Sequence, residues 1–275
     1  MQLTVTRRRR REAAIVAWFA LLGALPAAAQ SGITVSRPPV EAGYLRPEQR
    51  PDHTVFLPPP PAPESVLGTA DMAVYRATRA LEGSARWRLA AHDADIARRD
   101  LFGDFKCSLG VDLGTVQAPA VTRLFTRASA DLFPLVGASK EYYKRPRPYL
   151  VEQLPLCIVP SEELTRGGAY PSGHAAAGWL YALLLAELAP DHTAAILGRG
   201  RAYGESRVVC GVHYLSDIEG GRTLATALVA ALSGSSEFAA DLTAARKELG
   251  GLRANGVRGD AAACANEASE LKTPW

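Results

Sequence analysis

The sequence predicts an all-α fold, a single domain of packed helices. Ala is abundant and aromatic residues make up only 7% of the chain, a balance that favours helix over sheet. Apolar residues recur at helical spacing among charges, as in Leu67, Met72, Val74, Leu81, Trp87 and Leu89. No zone is rich in strand patterns, and no internal repeat is present. The 275 residues are enough for one large domain or two small ones with a buried core.

The elements follow in chain order. Arg7 to Arg11 form a basic segment, Ala13 to Leu25 an uncharged apolar run, and Ala27-Ala28-Ala29 a stretch of small residues that a signal peptidase reads. The pattern predicts a cleaved secretory leader over residues 1–29; a membrane span needs about 20 apolar residues. The leader carries five Arg and one Glu, so its removal takes the formal charge from +3 to −1. The basic pI of 8.7 therefore belongs to targeting and points to no nucleic-acid partner. No later stretch reaches eighteen apolar residues, so no membrane association is expected after cleavage. Twin-arginine and general secretory export both stay open.

Residues 30–65 are Pro-rich and end in Pro58-Pro59-Pro60-Pro61. Such a segment suits neither a helix nor a central strand, and it reads as an extended arm over the surface or a linker. The helical domain is expected over residues 66–275, with helices at Val116 to Tyr143, Ala175 to Leu188, Ala194 to Val209, His213 to Leu232 and Glu237 to Leu252. Pro190-Asp191 ends one helix and caps the next.

Three segments concentrate chemistry: KEYYKRPRP, with Lys140 and Arg147; AYPSGHA, with Ser172, Gly173 and His174; and SRVVCGVHYLSD, with Arg207, His213 and Asp217. Two Arg and a Lys make a cationic cradle whose donors suit the oxygens of a tetrahedral anion. Ser172-Gly173 precedes a helix start, where free backbone N–H groups favour anions. His213 and Asp217, four apart, would share one helix face. The carboxylate would fix the imidazole tautomer and leave the other nitrogen free to attack phosphorus. His174 would protonate the leaving group. Nucleophile, orienter, acid and cradle form a phosphoryl-transfer set that needs no metal or other cofactor.

These segments resemble the signature of the type-2 phosphatidic acid phosphatase and vanadium haloperoxidase superfamily: Lys-x6-Arg-Pro, Pro-Ser-Gly-His and Ser-Arg-x5-His-x3-Asp. Lys140, Arg147, Pro148, Pro171, Ser172, Gly173, His174, Ser206, Arg207, His213 and Asp217 fill every fixed position. Within it the chain is most similar to bacterial class A non-specific acid phosphatases. The likeness extends to Gly43-Tyr44-Leu45, the Pro58 to Pro61 run, Leu89-Ala90-Ala91 with Asp93-Ala94, and Cys210-Gly211. It implies a periplasmic all-helical enzyme, often dimeric or larger, acting on small-molecule phosphate monoesters in a tolerant pocket. It also implies His213 as nucleophile, His174 as general acid and Asp217 as orienter. Lys140, Arg147, Ser172, Gly173 and Arg207 become the phosphate ligands. Tyr214 and Ala175 depart from the Trp and Thr common in the family.

The runner-up is a vanadate-dependent haloperoxidase built on the same cradle, disfavoured by the short chain. A lipid phosphate phosphatase would carry transmembrane helices, and a non-catalytic phosphate binder would not need both histidines. A zinc site is disfavoured by the three neighbouring cations. Lys144 and Arg145 read as solvated surface charges. Tyr170 reads as pocket wall or packing, and His53, His92 and His192 as structural or exposed. Asp93, Asp95, Asp100 and Asp104 read as a solvated face or caps. The four cysteines contain no CxxC, and in an exported protein they predict disulfides. Cys157 and Cys210 flank segments that converge on one phosphate and are paired, leaving Cys107 to Cys264.

Overall fold

Residues 42–94, 101–255 and 260–271 are described in a computed structural model. The expected leader, the arm as far as residue 41, Asp95 and Asp100 lie outside the described residues. Eight longer helices follow one another: α1 (Val66–Ala77), α2 (Ala85–Ala94), α3 (Pro119–Tyr143), α4 (Gly173–Leu188), α5 (Thr193–Val209), α6 (Leu215–Leu232), α7 (Ser236–Ala254) and α8 (Ala261–Glu270). Shorter helical turns join them, and no strand occurs among the described residues. No helix among them is long and apolar enough to cross a membrane.

Starts and stops follow local chemistry. Side chains of Ser65, Ser172, Ser235 and Asp260 accept the first-turn N–H groups of α1, α4, α7 and α8, satisfying donors that have no intrahelical partner. α3 opens on Pro119 at its first position, where the missing N–H costs nothing. Several expected boundaries shift: α3 starts at Pro119 rather than Val116, α4 at Gly173 rather than Ala175, and α6 at Leu215 rather than His213. His213 and Tyr214 stand outside α6, Tyr214 being extended at φ −82° and ψ 162°.

α4 is the centre. Its buried face runs through Ala175, Ala176, Leu180, Ala182, Leu184, Leu185 and Leu188, and α5, α6 and α3 pack around it. A helix apolar on every side is the pattern of a core element. The core continues through Leu124, Phe125 and Leu132 of α3 and Leu224 and Leu228 of α6. α6 crosses the start of α4 at Gly221, where a Cβ would sit 2.5 Å from the Ser172 carbonyl oxygen. Only glycine fits that approach.

Buried charges tie the periphery to this centre, and one of them corrects the reading of Asp93. Asp93 is 1% exposed and takes both guanidinium nitrogens of Arg199, at 2.7 and 3.2 Å. It also accepts from Ser206 Oγ at 2.5 Å. The sequence offers Asp93 as a solvated carboxylate because its partner is over a hundred residues away. The pair clamps α2 to α5. Asp104 pairs with His92 at 2.8 Å, and His192 Nδ1 bonds the Ser108 carbonyl at 2.9 Å.

The arm packs rather than dangles from Tyr44 onward. The N–H groups of Tyr44 and Leu45 donate to buried Asp131 of α3. The Tyr143 and Tyr170 hydroxyls each donate at 2.7 Å to the Leu57 and Pro58 carbonyls. Despite its prolines, this stretch contains two helical turns, at Pro47–Gln49 and His53–Phe56. Both disulfides pair as expected, Cys107 with Cys264 and Cys157 with Cys210. Their separations of 157 and 53 residues correspond to about 5 and 4 kcal/mol in the chain-entropy treatment.

Gly221→Ala should lower stability by about 1–3 kcal/mol and lower activity as well, because the displaced atom is the Ser172 carbonyl. Thermal unfolding and turnover measured together check this; an unchanged melting temperature would contradict the close approach.

Candidate active site

The spacing of the third segment has a backbone explanation. α5 ends in a Schellman motif: the Val212 N–H donates to the Arg207 carbonyl at 3.1 Å, and the Gly211 N–H to Val208 at 2.9 Å. The motif requires a left-handed residue after the cap, and Gly211 supplies it at φ +84°. The turn folds the chain back over the end of α5, so His213 returns to Arg207. Three residues into the next segment, the Asp217 carboxylate reaches back to the Tyr214 N–H at 2.9 Å, the acidic half of a capping box. One Asp217 oxygen thus serves both helix start and histidine. His213 and Asp217 meet across a helix N-terminus rather than along a helix face. The Cys157–Cys210 bridge pins the same turn.

The other segments converge on it. Lys140 lies in the last turn of α3, and Arg147 caps the helical turn Pro148–Val151. Ser172 caps α4 through its Oγ, 3.3 Å from the Ala175 nitrogen, and its own N–H donates to the Asp217 carbonyl at 2.9 Å. Gly173 and His174 occupy the first two positions of α4, whose N–H groups have no intrahelical acceptor. The His174 ring lies nearly parallel to Tyr203, with centroids 6.2 Å apart. The preceding Tyr170–Pro171 bond is cis.

The hydrogen bonds assign the tautomer of His213. Arg147 Nη1 stands 3.0 Å from Nε2, and a guanidinium only donates. Nε2 is therefore the acceptor, and Nδ1 carries the proton toward Asp217 Oδ2 at 3.1 Å. The basic nitrogen faces the cations.

The cations differ in what they are bound to. Arg147 donates to the Leu164, Gly167 and Val212 carbonyls at 2.7, 3.2 and 2.9 Å. Lys140 Nζ donates to the Gly168 carbonyl. Arg207 is wholly buried, yet none of its three guanidinium nitrogens has a hydrogen-bond partner. A buried charge without partners costs several kcal/mol. A fold that keeps it holds five donors for something else.

Burial and the field of this cluster shift the cluster's own cations and both histidines. Burial and the adjacent Arg147 push Arg207 down to about 10, and burial with Arg147 and Arg207 brings Lys140 down to about 7. Burial and the same cations hold His213 and His174 well below the ordinary histidine range. Burial pushes Asp217 up to about 6, against the pull of Arg145 and the Tyr214 N–H. A dianion would reverse the shifts on Lys140 and the histidines.

The structure brings Lys140, Arg147, Ser172, Gly173, His174, Arg207, His213 and Asp217 to one end of the α3–α6 cluster. Arg145 corrects the sequence reading. It is buried between Asp217 Oδ1, 2.6 Å away, and Asp71 Oδ2, 2.8 Å away. Asp71 and Ser216 carry no sequence signal, and Arg145 reads as a surface charge, since nothing local marks Asp71 on α1 as its partner. Lys144 is exposed and pairs with Glu141. Tyr170 is buried, its ring edge-on to Tyr143 at 5.1 Å.

Comparison with known proteins gives the same grouping. Residues 119–238 match the family model described as the PAP2 superfamily, a span that contains all eight residues. The chain is 40% identical over 219 residues to an acid phosphatase of Zymomonas mobilis, covering 79% of this chain and 83% of the relative. The chain belongs to the PAP2 superfamily, among its acid phosphatases. A non-specific acid phosphatase of Providencia stuartii is 37% identical, covering 76% of this chain and 86% of the relative. One of Salmonella typhimurium is 32% identical, covering 75% and 83%.

In this acid phosphatase, Arg207→Met should separate stability from binding. Replacing an unpartnered buried charge by an apolar chain should stabilise the empty protein by about 1–3 kcal/mol. Sulfate should raise the melting temperature of the wild type but not of the variant. The gain should be larger at about pH 5.5 than at about pH 8, because an anion that raises the Lys140 and histidine pKa values binds with proton uptake. Sulfate keeps its charge over that range. A variant less stable than wild type, or still stabilised by sulfate, would contradict the account of Arg207.

Proposed function

We propose that this acid phosphatase hydrolyses a broad range of phosphate monoesters through a covalent phosphohistidine on His213, without a metal ion. The observation that carries the reading is Arg207, a buried guanidinium with no protein hydrogen-bond partner, in the same cluster as a histidine whose basic nitrogen is met by Arg147. The relatives named as acid phosphatases support it, as does the complete cationic cradle.

The steps follow from the groups in place. A monoester dianion settles among Arg207, Arg147 and Lys140 and the N–H groups at the start of α4. Its charge raises the His174 pKa, so that imidazole enters the reaction protonated. Nε2 of His213 attacks phosphorus in line with the ester oxygen, and a P–N bond forms as the P–O bond breaks. His174 gives its proton to the departing alkoxide. The growing imidazolium charge is held by Asp217 through Nδ1–H. In the second half, water attacks phosphorus while His174 takes its proton, the P–N bond breaks, and phosphate leaves. An alcohol in the place of water yields a new ester, so phosphate transfer is a built-in side reaction. The leader motif and two disulfides support export to an oxidising compartment such as the periplasm.

Hydrolysis of p-nitrophenyl phosphate should persist in excess chelator, and vanadate, which mimics the five-coordinate transition state, should inhibit it. His174→Ala should damage alkyl phosphate hydrolysis at least about tenfold more than p-nitrophenyl phosphate cleavage, since p-nitrophenolate leaves without a proton. Equal losses on both substrates, or activity restored to a chelated enzyme only by added metal, would overturn the proposal.

A further inference from the structure

Arg145 lies in the same segment as Arg147, yet its partners are carboxylates. Its guanidinium is 9% exposed and joins two buried carboxylates, Asp71 on α1 and Asp217 on α6. Nη1 also donates to Ser216 Oγ at 2.7 Å. The guanidinium carbon lies 4.0 Å from the centre of the Tyr214 ring, close enough for cation–π attraction. Asp71 in turn accepts from the Ser216 N–H at 3.0 Å and from its hydroxyl. Arg145 therefore touches residues 214, 216 and 217, the segment that carries His213, but neither His213 nor the cradle. Its charge is spent on two carboxylates, whereas that of Arg207 is spent on none.

The division of the Asp217 oxygens is the informative detail. Oδ1 belongs to Arg145, while Oδ2 takes the Tyr214 N–H and His213 Nδ1. We propose that Arg145 is a positioning residue, which keeps the Asp217 carboxylate ionised on the acid side of neutral and turned so that Oδ2 serves His213. This deepens the phosphohistidine reading and rests on it.

The charges around Asp217 settle the direction of the effect. Asp71 on α1 is a like charge and favours the protonated acid. Arg145, from the segment after α3, opposes it at contact distance. Lys140 of α3 and Arg147 also favour the ionised form, and Tyr170, ahead of α4, is neutral in the working range. On its own segment Asp217 faces His213 and Tyr214. Burial is the largest cause that drives Asp217 upward, and Asp71 adds to it. Without Arg145 the carboxyl would protonate at higher pH, and Nδ1–H would lose the charge that stabilises imidazolium. The acidic limb of the rate profile would then rise in pH. The alkaline limb, set by His174 and Lys140, would stay.

The test is the pH profile of kcat for p-nitrophenyl phosphate in four variants, since kcat reports the groups of the substrate complex, where the bound dianion has raised His174. Arg145→Gln should move the acidic limb up by about one pH unit or more, the usual effect of an opposite charge at this distance. Arg145→Lys should restore part of that shift. Asp71→Asn should move the limb the other way, since it removes a like charge and frees Arg145 for Asp217; its sign decides the matter even if Arg145→Gln fails to fold. Asp217→Asn should be nearly inactive at every pH. An acidic limb unmoved in Arg145→Gln and Asp71→Asn, or moved in the same direction by both, would overturn the role of Arg145 while Asp217→Asn remained inactive. An active Asp217→Asn would instead overturn the His213–Asp217 reading on which it rests.

Discussion

A buried guanidinium with no protein hydrogen-bond partner is the constraint on which the rest of this structure depends. Arg207 sits at the C-terminal turn of α5, wholly buried, with all its nitrogens unpaired. Burial of that kind is tolerated only where surrounding structure over-determines it. Here the determinants are covalent and polar at once. The Cys157–Cys210 bridge, the Schellman turn at Gly211, and the Ser206–Asp93–Arg199 cluster all fix the last turn of α5. On the proposed reading, the cost of burying Arg207 is offset when a phosphate ester binds there.

The same constraint organises the protonation states. Burial and the charges of Arg147 and Arg207 hold both histidines well below the ordinary histidine range and bring Lys140 down to about 7. In the proposed mechanism a bound dianion supplies the charge that lets one histidine carry a proton. His213 is kept out of that competition, because Arg147 occupies Nε2 as a donor and Asp217 holds the proton on Nδ1. In the proposed mechanism the acid and the nucleophile are distinguished by their partners, with no difference in residue type.

Much of this was legible in the sequence because it is local. Helix faces, the Ser172 cap and the cationic motif residues are set by spacings of a few positions. The disulfide partners followed once the motif segments were taken to converge. The exceptions are pairings across long separations. Arg145 reads as a surface charge until Asp71, from another helix, stands beside it, and Asp93 reads as solvated until Arg199 reaches it. His213 reads as helical from the i, i+4 spacing to Asp217. The Schellman turn at Gly211 instead delivers it from outside the helix, with the same spacing closed by a capping carboxylate. That signal was present, as a glycine four residues after Arg207.

The most direct test of the central claim is to find where the phosphoryl group goes. Wild-type protein mixed with labelled p-nitrophenyl phosphate and quenched within milliseconds in alkaline denaturant, where a P–N bond survives, can be digested and its label mapped. The account predicts label on His213 alone, persisting longer in His174→Ala because the water-activating group is gone, and absent from His213→Ala. Label on His174, or no labelled protein from an enzyme that turns over normally, would contradict it.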